Sequence, residues 1–167
     1  MSRANTAAAK AKRRRQRSAV RLTPYRPEDE ELARAWLEAD QEEAGGEGWD
    51  QWIKDDWDHR WVVMRGDVPV GLAQAAILRG AVTLHDGTHP AAPVCEIGYF
   101  TAPDHRGQRI ATEVVALLPK QPALQQVQSW LGAVRETNTP SVRVLLRAGF
   151  RYAGPSPKAG FTGYIRP

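Results

Sequence analysis

The stretch Cys95-Glu-Ile-Gly-Tyr-Phe-Thr-Ala-Pro-Asp-His-Arg-Gly-Gln-Arg-Ile-Ala-Thr-Glu113 most constrains the fold. It reads as an apolar strand, a Pro turn, and a short Arg/Gly loop that opens straight into an amphipathic helix. A loop that feeds a helix in this way presents unpaired backbone N–H groups and the positive end of the helix dipole. That is a ready site for an anionic group such as a pyrophosphate.

Around this stretch the periodicity sets an order of elements. Ala19–Tyr25 alternates as a first strand. Arg26-Pro-Glu-Asp-Glu-Glu starts a helix, because Pro and clustered acids suit a first turn. Leu32, Ala33, Trp36 and Leu37 form its inner face, and the Gly45-Gly46 pair ends it. Gly48–Trp57 is a second short helix with Trp49, Trp52, Ile53 and Trp57 in step. Arg60–Met64 and Val68–Leu78 are strands around the tight turn Arg65-Gly-Asp67, which the hairpin accounts for without an adhesive role. After a Gly/Pro/His-rich connector over 79–93 come the strand Val94–Thr101, the helix Arg109–Leu118 stopped by Pro119 and Pro122, and the strand Gln126–Glu136. A short helix over Pro140–Ala148, closed by Gly149, precedes two closing strands, Phe150–Ala153 and Gly160–Ile165. Helices interspersed among strands predict an α/β or α+β fold with a sheet of mixed direction.

At 167 residues the chain makes one domain with room for a sizeable core. No apolar run reaches membrane-spanning length, and the start lacks the apolar centre of a secretory signal. The single cysteine, Cys95, rules out an internal disulfide and a cysteine-rich zinc site, and a cytoplasmic location is the expectation that follows. His85 and His89 stand four apart on a loop rather than a helix, so no metal site is expected. The net charge of +4 conceals two opposite parts. Residues 1–20 hold seven basic residues and no acid, leaving 16 basic against 19 acidic residues, a net of −3, for the rest. Residues 1–19 carry too little apolar bulk to offset ordering entropy and read as a disordered basic tail, with the domain at 20–167. The tail is either a solubilising extension or a contact for nucleic acid or an acidic partner.

Together with Asn138-Thr-Pro-Ser-Val-Arg-Val-Leu-Leu-Arg-Ala-Gly-Phe150, the Cys95–Glu113 stretch resembles the GNAT acetyltransferase superfamily. Glu96-Ile-Gly-Tyr ahead of the loop and Asn138-x-x-Ser141 behind it look most like the branch that acetylates protein N-termini, the ribosomal-protein-alanine acetyltransferases. The resemblance covers about residues 20–167. It implies a twisted, mixed and mostly antiparallel sheet with a splayed V between the central strands, flanked by helices. It also implies acetyl-CoA as co-substrate, held by Tyr99, Phe100 and Thr101, by the loop Arg106, Gly107, Gln108, Arg109, Ile110 and Ala111, and by Asn138. The family loop runs Arg/Gln-x-x-Gly-x-Gly/Ala, and Arg109 stands where its central Gly belongs. Gly serves where a backbone approaches a phosphate or takes positive φ. Arg109 therefore either crowds the pyrophosphate or adds a charge-assisted contact to it.

Acetyl transfer needs an amine to lose a proton and a thiolate to leave. Glu96 is the candidate general base, at the position where relatives carry a carboxylate acting through water. Many relatives place a Tyr seven residues after the motif Asn; that position is Leu145 here, so Ser141 is the substitute candidate for the acid. Cys95 flanks an apolar strand and reads as structural. From Glu28 to Asp58 there are 13 acids against two basic residues. An acidic, Trp-lined pocket built from these helices would favour a cationic amine; a solvated helix face is the alternative. Three readings stay open: acetylation of a protein N-terminus, acetylation of a small cationic amine such as an aminoglycoside or polyamine, and a non-catalytic binding module.

Overall fold

The computed structural model describes residues 19–44, 48–54 and 57–167. The basic tail and the Gly45-Gly46 helix stop lie outside the described residues, apart from Ala19. In chain order the elements are β1 (Val20–Pro24), α1 (Glu30–Ala44), α2 (Trp49–Lys54), β2 (His59–Arg65), β3 (Val68–Ile77), β4 (Val94–Thr101), α3 (Ile110–Leu117), β5 (Ser129–Arg135), α4 (Thr139–Arg147), β6 (Arg151–Pro155) and β7 (Phe161–Arg166). That is the order expected from the sequence.

The strands form one sheet in the order β1-β2-β3-β4-β5-β7-β6. β1 to β4 are successive antiparallel neighbours, as are β5, β7 and β6. β4 and β5 run parallel, and their pairing is short: Val94 with Ser129, Cys95 with Trp130 and Glu96 with Leu131. Beyond Glu96, β4 stays on β3 as far as Thr101 opposite Gly71. Beyond Leu131, β5 stays on β7 as far as Arg135 opposite Phe161. Each strand is held by its outer neighbour while the two inner edges part, and sheet twist widens the gap. This is the V expected between the central strands.

Alternation along the strands sends side chains to two cores. On one face Val63, Ala73, Cys95 and Ile97 pack with Ile110, Val114, Val115 and Leu118 around α3, and with Leu145 from α4. On the other, Val62 and Leu72 pack with Ala33, Leu37, Trp49 and Trp52 from α1 and α2. The two helix layers thus lie on opposite faces, and the V opens between them.

Several element ends differ from the sequence reading. The chain enters α1 through a 3-10 turn at Pro27–Asp29, where the Arg26 amide donates to Asp29 Oδ2 at 2.8 Å. Leu32, expected on the inner face, is 37% exposed, because the face toward the sheet is narrower and centred on Ala33 and Leu37. Trp57 lies past the end of α2. Pro119 does not simply stop α3; it sits in a 3-10 turn, Leu118–Lys120, whose first-turn geometry accepts a residue without an N–H. A further 3-10 turn at Pro122–Leu124 delays β5 to Ser129.

Candidate active site

The V encloses a cavity of about 810 Å³. Glu96, Gly98, Tyr99 and Phe100 from β4 form one wall, and Leu131 to Arg135 from β5 form the other. Asn138, Ser141 and Leu145 close it on the α4 side; Asp40, Trp52, Trp57 and Gln74 line the α1/α2 side. The structure therefore gathers Glu96, Tyr99, Phe100, Asn138 and Ser141 around one space. Thr101 and the loop Arg106–Ala111 do not line this cavity; they continue from the end of β4 to the N-terminus of α3.

That loop carries the departure from the family pattern. Arg109 caps α3 at φ 63°, ψ 16°, the one non-Gly residue at positive φ among the described residues. A side chain in this left-handed region costs about 1–2 kcal/mol, which Gly avoids. Gly107 is also left-handed, at φ 74°, with nothing within 4 Å of where a Cβ would stand. The loop thus takes a shape that glycine would adopt freely, and the exposed Arg109 side chain does not prevent it. Its open side at Gly107 and the first amides of α3 fit an anionic group.

A residue outside the motif braces this loop. Arg65, at the end of β2, donates from Nη1 to Gln108 Oε1 at 2.7 Å and from Nη2 to the Gln108 carbonyl at 3.3 Å. The same guanidinium lies 3.7 Å from Glu113 in α3, whose other oxygen accepts the Val20 amide of β1 at 2.9 Å. Only Arg offers a planar fork able to meet several acceptors at once. Arg106 is likewise engaged: its Nη2 bonds Asp40, its Nε donates to the Thr101 carbonyl at 3.3 Å, and its guanidinium lies over Phe100. Ile110 is buried in the α3 core, so toward a ligand it offers its backbone rather than its side chain.

The hydroxyl candidates separate clearly. Asn138 is the N-cap of α4, with Oδ1 accepting from the Ser141 amide at 3.2 Å. Tyr99 donates its hydroxyl to the Ser141 carbonyl at 3.3 Å, and burial raises its pKa to about 12. Leu145 is fully buried under Gly132, where a Cβ would come within 3.0 Å of its Cδ1. Cys95 is buried, its pKa raised to about 12 by desolvation, and it lies away from the open part of the V.

Among the described residues, the acids of the Glu28–Asp58 segment do not gather into the pocket that the local charge count suggested. Of the acids between Glu28 and Asp58, Asp40 alone lines the cavity among the described residues, and Arg106 engages it. α1 turns Ala33 and Leu37 inward, while Glu31, Glu38 and Glu42 are exposed, as is Asp50 of α2. Trp52 and Trp57 do line the wall, and Arg135 and Lys158 line the far side.

The sequence matches the profile of the acetyltransferase (GNAT) domain family over residues 4–151. No curated protein matches it. Among solved structures it is similar to the aminoglycoside acetyltransferase AAC(6')-Ib in complex with coenzyme A, with a TM-score of 0.68 and 18% identity over 89% of this chain and 94% of that one. It is similar to RimL, a ribosomal protein alpha-N-acetyltransferase in complex with coenzyme A, with a TM-score of 0.67 and 13% identity over 89% and 93%. An acetyltransferase from Thermus thermophilus gives a TM-score of 0.62 and 21% identity over 89% and 97%.

Proposed function

The chain belongs to the GNAT acetyltransferase family, and on that footing we propose that it transfers an acetyl group from acetyl-CoA to the α-amine of a protein N-terminus. The observation that carries this reading is the cavity between the diverging ends of β4 and β5, with Glu96 at its closed end. Among the described residues, Asp40 is the one other carboxylate in its walls. A polycation would need several; a single N-terminal amine does not. Acetyl-CoA supplies an activated acyl thioester when bound. The open inner edge of β4 at Tyr99–Thr101 and the Asn138 side chain are assigned to its pantetheine arm. The amides from Gly107 to Ala111 are assigned to its pyrophosphate, where an anion gains from the α3 dipole. Glu96 takes the proton of the incoming amine, directly or through water, and Ser141 is the candidate to protonate the leaving thiolate. Tyr99 keeps its proton at neutral pH and orients the start of α4 through the Ser141 carbonyl.

Acetylation of a small cationic amine is the second reading, favoured by Trp52 and Trp57 in the wall. The binding-module reading rests on the Arg109 departure and the basic tail; the left-handed Arg109, which keeps the shape a glycine would take, argues against a damaged loop. Assaying CoA release from acetyl-CoA against peptides beginning with Ala, Ser or Met, an aminoglycoside and a polyamine separates them. N-terminal peptides are expected to be acetylated with the higher kcat/KM. Preference for the polyamine or aminoglycoside would overturn the acceptor; failure of acetyl-CoA to raise the Tm would overturn the enzyme.

A further inference from the structure

Gln74 is a polar residue inside the apolar strand β3. It is 4% exposed, lines the cavity, and its Oε1 has no hydrogen-bond partner. The indole Nε1 atoms of Trp52 and Trp57, on the same wall, are also buried and unpartnered. Burying polar atoms without partners is costly, and a fold keeps them where something else satisfies them.

Their placement is specific. Gln74 faces Gly98 across the β3–β4 ladder. A Cβ at residue 98 would come 2.9 Å from Gln74 Cγ, 3.0 Å from its Nε2 and 3.3 Å from Trp57 Cη2. The Gln74 amide and the Trp57 ring therefore both lie over Gly98, in space that only glycine leaves. Residue 98 is two beyond Glu96 and shares its face of β4. The Gln74 amide and the Trp57 ring thus stand one pleat from the candidate base, and Trp52 lines the same cavity.

We propose that Gln74 and Trp57 form an acceptor subsite that reads an α-amino carbonyl group, an amine and a carbonyl borne on the same carbon. This rests on the acceptor reading above and narrows it. Gln74 Oε1 accepts from an amine N–H and so turns the amine toward Glu96. Trp57 Nε1 donates to the carbonyl oxygen of the same residue, and Trp52 Nε1 is a second donor on that wall. A simple alkylamine meets the first partner and not the second.

The test is calorimetric binding of alaninamide and of butylamine to the CoA-loaded full chain. Gln74→Leu should weaken both probes by about tenfold, the loss of one hydrogen bond. Trp57→Phe keeps an aromatic ring and should weaken alaninamide by about tenfold while leaving butylamine unchanged. Neither variant should change CoA affinity. The Tm of free Gln74→Leu should hold or rise, because an unpartnered polar atom is removed; Gln74→Met serves if Leu does not fold. The subsite is overturned if alaninamide binding survives either variant, if Trp57→Phe weakens both probes alike, or if both Gln74 variants lower the Tm. Wild-type protein that acetylates amines but binds alaninamide no tighter than butylamine contradicts the subsite alone. The expected binding pattern without acetyl transfer contradicts the enzyme reading alone.

Discussion

Arg109 pays a conformational cost at φ 63° that a glycine would not. Arg109→Gly is therefore expected to raise stability by about 1 kcal/mol, a Tm increase of roughly 2–4 °C for a chain of this size. It also removes a cation beside the N-terminus of α3, so the KM for acetyl-CoA should rise by about threefold. A fall in KM would make Arg109 an obstruction. Glu96→Gln should lower kcat/KM by about a hundredfold near neutral pH, with the loss shrinking at high pH where the amine deprotonates unaided. A small, pH-independent loss would leave Glu96 a structural residue. The Arg-for-Gly departure was legible in the sequence, but the conformation it holds was not, because that depends on how the loop joins β4 to α3. Gln74 did leave a signal, a lone amide in the apolar run of β3. Arg65 left none: its partner Gln108 is 43 residues away and only the fold brings them together.

At the scale of elements, the β2–β3 hairpin and α3 are joined through Arg65, which holds Gln108 and Glu113 together. Arg65→Ala should free the loop, raising the KM for acetyl-CoA by roughly five- to tenfold while kcat changes little, because the loop binds and does not react. Steady-state kinetics with varied acetyl-CoA checks this; a fall in kcat alone would contradict it. β4 carries a second measurable property. Cys95 and Tyr99 both have pKa values raised to about 12 by burial, from ordinary values of 9.0 and 10.0. Both hold their protons more tightly folded than unfolded. The stability they contribute is complete below pH 9 and is lost as pH rises toward 12. Denaturant midpoints should fall over that window and fall less in Cys95→Ala. The order of elements was legible because periodicity switches sharply between strands and helices. The 3-10 turns at Pro27, Pro119 and Pro122 were not, since proline marks a break without fixing what replaces the helix.

In the whole molecule, two helix layers flank a sheet whose central strands part after Glu96 and Leu131. The acidic character of residues 28–58 was plain in the sequence. That Glu31, Glu38, Glu42 and Asp50 are exposed while Asp40 lines the cavity was not, because composition does not say which side of a helix meets the sheet. The Val20–Glu113 bond ties the start of β1 to α3, and on that ground we propose that the domain begins at about residue 20. Deleting residues 1–17 should leave folding and acetyl transfer intact and reduce any salt-sensitive polyanion binding, measured by titration against nucleic acid at several salt concentrations. Loss of folding would move the domain boundary into the tail. On the proposed function, an amine entering from the α1/α2 side meets, inside the V, a thioester entering from the α3/α4 side. A bisubstrate ligand, an alanyl peptide joined through its α-nitrogen to CoA by an acetyl bridge, tests this directly. Calorimetry should find it bound at least about a hundredfold more tightly than CoA, because one molecule then occupies both arms. Binding no tighter than CoA itself would contradict the account.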